Sequence, residues 1–568
     1  MERPVSQRCA YNHDMDHRRN QVFQWTSGAI DVRILRLCVL LVGLLGCDRS
    51  PGPAAPSGSP SQPVMKPTPE QASPTKPIAP AAQATTPKSN PKRAPIDFSK
   101  LPTKESAAPV KSSDFLGSAA CIACHAEEGK AWSRSTHGKA GGPPGPDTII
   151  PSFDNQVLKF TDATVTLRRI DARYTFEITS GKLPKQVISV DGVVGRGLIY
   201  GGGAQTYFHR RADGFMVFIP IEYNVEKKVW FCQTSGPKNW TSIDGSFSLL
   251  ECGWPPSRTM GSSPGASCQN CHGSQIDVRY QTDKRAYVTR FTELTINCES
   301  CHGPGRRHVQ LMKRPAEERT EDIGMEALGV LSKTKSVEVC LSCHANKPHV
   351  GTGYLSGMPF HEHFAALTIW DPAERKTHFD GRVVGFGYQQ GHLYSDCYIN
   401  GSMTCVDCHD PHTSEYRDVH GKRLDGRFAN GQCTGCHAAK AGDGAAAHSR
   451  HQADGKGNRC TSCHMAFHQM TEVGTEFRHE RSDHVIPIPR PQLDTQLGVA
   501  NGCEPCHRDL GVKWQQDKTT ALFGTIKPHR PLVSGLLQLT EKLGLALKPT
   551  GKKTALVAVD EVAGRLTE

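Results

Sequence analysis

Eight times in this chain two cysteines stand three positions apart with a histidine directly after the second. The motifs are Cys121/Cys124/His125, Cys268/Cys271/His272, Cys298/Cys301/His302 and Cys340/Cys343/His344, followed by Cys405/Cys408/His409, Cys433/Cys436/His437, Cys460/Cys463/His464 and Cys503/Cys506/His507. With 22 cysteines and 26 histidines in 568 residues, chance would supply about 0.04 copies of a pattern that reads as covalent c-type haem attachment. Thiols at i and i+3 share one face of a helical turn, where they can form thioethers with the two vinyl groups of a single haem. The histidine that follows reaches the iron, and axial ligand identity is then the main lever on redox potential. Eight covalently bound c-type haems are therefore expected. Sixteen of the 22 cysteines are consumed this way, which excludes a disulfide scaffold as the main use of cysteine. Zinc ribbons or redox dithiols would need only the cysteine pairs, so a histidine after every pair argues against both.

Eight irons have eight sixth positions. Sixteen histidines outside the motifs lie beyond the leader segment described below, enough for bis-histidine ligation throughout. Several follow a motif closely: His308 in CHGPGRRH, His349 in CHANKPH, His412 in CHDPH and His468 in CHMAFH. A histidine so near its own motif cannot easily fold over to the other face of the same haem. It can reach a neighbouring iron, and that forces haems close together. Met465, directly after His464, is badly placed to ligate the same haem.

The elements that must position these groups fall into blocks. Residues 1–46 read as an extension plus a lipoprotein signal peptide, and the unusual polarity of residues 1–31 suggests a true start nearer Val32. Arg33 and Arg36 precede the apolar run Leu37 to Leu45, too short for a spanning helix and suited to a signal-peptide h-region. Leu44-Leu45-Gly46-Cys47 resembles a lipobox, making Cys47 the expected lipidation site. Residues 47–113 are rich in Pro, Ala and Ser and cannot bury enough surface to offset ordering, so a disordered tether is expected. Haem segment 1 (114–147) precedes an expected β-rich insertion at 148–260, where short alternating runs such as Thr164–Leu167, Tyr174–Ile178 and Phe215–Ile219 are bounded by turn residues. Residues 261–515 carry motifs 2–8 on short helices and loops, with a helix expected over 313–332, and 516–568 reads as a helical tail. The fold class expected is a mainly α and irregular multihaem domain with a small antiparallel β-rich insertion. Cys232 and Cys252 suit a disulfide in an oxidising compartment, and the odd Cys397 could be free, buried or a haem ligand, a structural role being the favoured one.

Composition narrows the partners. Only 37% of residues are hydrophobic and 7% aromatic, low for this length unless porphyrins supply part of the core. The net charge of +11 is spread along the chain without a nucleic-acid module, so no nucleic-acid partner is expected. Redox proteins at the membrane or in the periplasm are, with the chain held on the extracytoplasmic side by Cys47.

The segments CIACHAEEGKAWSRSTHGKA, CESCHGPGRRH, TCVDCHDPH, RCTSCHM and SDHVIPIPRPQ, then NGCEPCHRD, occur in that order. They resemble the bacterial multihaem cytochromes c with doubled CxxCH motifs, related to the tetrahaem electron carrier of nitrifiers, over about residues 115–510. The resemblance implies distal iron ligands at His137, His308, His412, His448, His451 and His484, with His378, in THFDGR, a weaker candidate. Members of this group often carry tetratricopeptide repeats after the last haem, and the tail here is too short for such an array. No Cys-x-x-Cys-Lys motif occurs, unlike the lysine-ligated active haem of ammonia-forming nitrite reductases. Two functions follow. One is an electron conduit of largely six-coordinate haems. The other is an oxidoreductase acting on a small nitrogen or sulfur compound at one haem with an open position, aided by a nearby His, Tyr, Arg or Lys.

Overall fold

The computed structural model describes residues 110–542, apart from 182–183, 196–201, 235, 257–268, 352, 367–376, 379, 384, 471–472 and 500. The expected leader, Cys47 and most of the tether therefore lie outside the described residues, as do Cys268 and the end of the tail.

Alternating side chains between Gly and Asp turns build the strands of the first half. A four-stranded antiparallel meander is formed by β2 (Asp154–Lys159), β3 (Ala163–Ile170), β4 (Arg173–Ser180) and β5 (Gln186–Ser189). A second antiparallel sheet has the order β1 (Gly141–Gly142), β6 (Gly192–Val194), β7 (Ala204–Arg210), β8 (Met216–Asn224), β9 (Val229–Cys232) and β10 (Thr241–Ser242). In β3 the residues Ala163, Val165 and Leu167 point inward while Thr164 is exposed, the period-2 burial of a sheet with one covered face. Val165, Leu167, Phe176 and Ile178 of one sheet share a single apolar core with Tyr207, Ile219, Ile221 and Trp230 of the other, so the two sheets pack face to face. Cys232, at the end of β9, is bonded to Cys252 inside that core.

The strand β8 is buried on both faces, and this fixes the sandwich to the rest of the chain. Its Met216 and Phe218 turn away from the sandwich core and pack with Phe208, Val194 and Leu294. A further cluster joins Phe231 and Trp240 to Met470, Val473 and Phe477. Beside it the backbone of Gly202, at φ +90°, runs so close to the Arg478 carbonyl that a Cβ there would overlap it. No side chain other than hydrogen fits.

Beyond residue 268 the helices are short. Most span four to nine residues, and the longest are Gly511–Phe523 and Pro531–Lys542. The domain is thus less helical than expected: loops, single turns and two unexpected hairpins carry the motifs. One hairpin is β11 (Asp277–Gln281) with β12 (Ala286–Arg290), the other β13 (Phe467–Gln469) with β14 (Glu480–Ser482). The helix expected at 313–332 is absent. Two 3₁₀ turns stand there instead, at Ala316–Glu318 and Leu328–Val330, and the helix begins at Lys333. Pro315, Gly324 and Gly329 break the run, and the Ser332 side chain caps the new start by accepting from Lys335 N. Among the described residues no helix is long and apolar enough to cross a membrane.

Candidate haem-binding sites

Each motif with both cysteines described makes one tight turn. The backbone N–H of the histidine donates to the carbonyl of the first cysteine at 2.9 Å for His125 on Cys121, 3.0 Å for His302 on Cys298, 2.8 Å for His344 on Cys340, and 2.9 Å for both His437 on Cys433 and His507 on Cys503. This geometry puts two thiols and an imidazole on one side of the chain, as attachment of a single planar group requires.

Six motif histidines face a second imidazole from a remote segment. The ring centres of His125 and His308 are 6.2 Å apart, His137 and His344 6.1 Å, and His302 and His412 6.2 Å. His409 and His484 stand at 6.4 Å, His448 and His464 at 6.2 Å, and His451 and His507 at 6.3 Å. An ordinary imidazole stack would be much closer. A metal bonded to two imidazole nitrogens at about 2.0 Å each, with about 1.1 Å from nitrogen to ring centre, spaces the rings by about 6.2 Å. The donor set fits an iron between each pair.

Hydrogen bonds hold several of these rings with one nitrogen turned inward. The Nδ1 of His308 lies 2.7 Å from the Ile323 carbonyl, that of His451 2.7 Å from the Ser449 carbonyl and that of His484 2.9 Å from the Ser482 carbonyl. His464 Nδ1 lies 2.9 Å from the Pro487 carbonyl, and His137 bonds the Pro411 carbonyl. Donation from Nδ1 selects the tautomer whose Nε2 lone pair is free for a metal. Burial lowers the basicity of His137, His302, His464 and His484, and brings His344 down to about 3 and His409 to about 4. Neutral imidazole is the form that ligates.

A buried acid, Glu299, and a half-buried one, Glu293, set the docking of these segments. Glu299, inside motif 3, accepts from the backbone N–H of Leu116, Gly117 and Gly305, while Glu293 accepts from Ser118. Trp132 donates to the Ile296 carbonyl at 2.8 Å, and Thr295 Oγ1 to the His137 carbonyl at 2.9 Å. Motif 1 is thereby laid against motif 3, and His137 is carried on to motif 4. The segment THFDGR acts differently from expectation. It does not bring His378 to a motif histidine. Its Arg382 lies within 3.0 Å of Asp380, 3.4 Å of Asp483 and 2.6 Å of Asp494, all buried. Asp483 in turn accepts from Val485 N at 2.8 Å, so the cluster fixes the turn that presents His484 to His409. His349 packs on Phe364 and His468 lies 3.2 Å from Asp483, neither facing a motif histidine.

The cysteines of successive motifs also meet. The thiols of Cys121 and Cys298 are hydrogen-bonded, as are those of Cys343 and Cys271, Cys340 and Cys405, and Cys433 and Cys460. Cys301 lies in electrostatic range of Cys340 and Cys343, Cys408 of Cys436, and Cys463 of Cys503 and Cys506. The motifs therefore run 1, 3, 4, 5, 6, 7, 8 through space, with motif 2 beside motif 4. Cys397 sits among the fifth and sixth sites, and burial raises its thiol pKa. Two motif histidines, His272 and His437, face no second imidazole among the described residues.

No family model matches the chain, and no curated protein does. Two solved structures are similar. The crystal structure of the outer cell wall cytochrome OcwA shares 16% identity at a TM-score of 0.45, over 76% of this chain and 90% of that one. The octaheme sulfite reductase MccA of Wolinella succinogenes, in its form II, shares 15% identity at a TM-score of 0.28, over 65% of this chain and 58% of that one. Both are haem proteins by name. Likeness at these values carries no argument about activity, which rests on this chain's own residues.

Proposed function

We propose that the chain is an octahaem c-type cytochrome that carries electrons on the extracytoplasmic side of a bacterial membrane, tethered there by a lipid on Cys47. Bound haem would supply one-electron redox chemistry, while the protein sets spacing, potential and access. Cys121, Cys124, Cys268, Cys271, Cys298, Cys301, Cys340 and Cys343, with Cys405, Cys408, Cys433, Cys436, Cys460, Cys463, Cys503 and Cys506, would hold eight such groups. The observation that carries the reading is the set of six imidazole pairs at 6.1–6.4 Å. Paired imidazoles fill both axial positions and leave no place for substrate, which suits transfer rather than turnover. The meeting of cysteines from neighbouring motifs supports a continuous row, and its partners would be redox proteins at the membrane or in the periplasm.

One observation favours a second reading, an oxidoreductase on a small nitrogen or sulfur compound. Among the described residues no imidazole faces His272, and Lys347 lies in electrostatic range of Cys271 and Cys343, its own pKa lowered by burial. A cation there would suit an anionic substrate. A pyridine haemochrome assay on the mature protein tests the main reading. Eight haems per chain is the expected result, and well under eight would overturn it. Turnover of nitrite, hydroxylamine or tetrathionate would move the assignment to the second reading. Loss of the protein from the membrane fraction on Cys47→Ser tests the anchor.

A further inference from the structure

The β-sandwich carries no attachment motif, yet one of its glycines lies against the strand that leads into His484. That strand, β14, ends at Ser482, whose carbonyl lies 2.9 Å from His484 Nδ1. Wherever β14 sits, the acceptor that orients the ring goes with it. On one side β14 is held by β13, in the register Phe467 to Ser482 and Gln469 to Glu480. Each strand is only three residues long, and so short a hairpin is not stable by itself. It needs a support.

The sandwich supplies one at two points. The first is Gly202, just before β7. Its carbonyl accepts from the Arg481 guanidinium at 3.2 Å, and a Cβ on it would stand 1.6 Å from the Arg478 carbonyl. Around this contact Arg478 reaches Glu226 at 2.8 Å, Ser242 N donates to Glu476 at 2.8 Å, and the Phe231 ring meets Phe477 at 4.9 Å. The second point is Tyr388. Its ring packs, like Ala204 and Val229, against the cluster of Phe231 and Phe477, and it meets the His484 ring edge-on at 5.4 Å. The turn that carries Tyr388 closes on the same place, since a Cβ at Gly391 would lie 3.0 Å from the Val485 side chain. Two separate contacts thus run from the sandwich to one imidazole.

We propose that the sandwich is a buttress for the His409 and His484 pair, with Gly202 and Tyr388 as positioning residues that set the angle of the His484 ring. The inference rests on the haem reading above and gives the insertion a role in it. Outer partners that orient a ligating imidazole tune the metal it holds, so the effect is read at one iron. The test uses the mature holoprotein at equal haem content and the electron paramagnetic resonance of its ferric low-spin irons. His484→Ala first identifies the signal of this pair as the one that disappears. Gly202→Ala should shift that signal and no other, because the added methyl pushes β14 off the sandwich. Tyr388→Leu should shift the same signal, and it decides the matter if Gly202→Ala fails to mature. Phe176→Ala, which weakens the sandwich core away from β14, should leave the signal in place and so separates positioning from a loss of stability. An unmoved signal in either mature positioning variant, or a shift that Phe176→Ala reproduces, would overturn the proposal. If His484→Ala removes no low-spin signal, the haem reading beneath it fails instead.

Discussion

The β-sandwich and the motif region solve the same problem by opposite means. Between Phe153 and Trp254 the core is made by the peptide itself: Phe153 meets Tyr174, Phe176, Tyr207 and Trp230 edge-on at 5.3 to 6.0 Å, and a disulfide closes the end. From residue 269 onward the described apolar clusters are small, such as Val337, Leu341, Phe360 and Phe364, and the ordered groups are imidazoles held apart by a metal-sized gap. The first region is stabilised by burying side chains. On the proposed reading the second would be completed by its cofactors, with buried acids such as Glu299 and Asp483 fixing where each imidazole stands. Binding free energy is then folding free energy.

The contrast can be broken most severely at motif 4, which touches motifs 2, 3 and 5. Replacing Cys340 and Cys343 together by alanine should cost more than one haem per chain, because His137 loses its partner and the adjoining sites lose their packing. Haem content by pyridine haemochrome checks this, and loss of a single haem would mean that the sites are independent. Arg382→Met should be the next largest effect, about 3–5 kcal/mol, since it leaves buried carboxylates without their cation. Chemical denaturation should show it together with a spectral change at the His409 and His484 pair. Phe176→Ala should cost a comparable amount, about 3–5 kcal/mol, yet leave the haem spectrum unaltered because the loss is confined to the sandwich.

A smaller effect tests the join between the regions. His479 is buried against Trp240 and Phe386, and burial holds its pKa at about 3, against an ordinary value of about 6.5. The unfolded chain takes up the proton first, so stability is complete above pH about 6.5 and falls as the pH drops toward about 3. His479→Phe should flatten that part of the pH–stability curve. An unchanged slope would show that the ring titrates freely.

Different levels of this molecule were legible to different degrees. The attachment motifs need only local spacing, the strands β3 and β4 announce themselves by apolar and polar alternation over eight residues, and β8 does so by a nearly continuous apolar run. The hairpins at Asp277–Arg290 and Phe467–Ser482 do not, because their strands are short, polar and half exposed. The expected helix over 313–332 overrated charged residues and underrated Pro315, Gly324 and Gly329. Imidazole pairing was least visible of all from spacing, since partners such as His137 and His344 come from remote segments and meet only through Thr295, Pro411 and the buried acids. Proximity to a motif proved a poor guide: His308 and His412 face motif histidines, whereas His349 and His468 do not. Arg382 carried no pattern in sequence and became visible only with its three carboxylates around it.

The claim at the centre of this account is that each imidazole pair clamps one iron. His302 and His412 form the most parallel pair, with ring planes 4° apart. The direct measurement is the ferric spin-state count of His412→Ala beside the wild type at equal haem content. The account predicts that one low-spin iron becomes high-spin and that the others keep their signals. An unchanged low-spin count would contradict it.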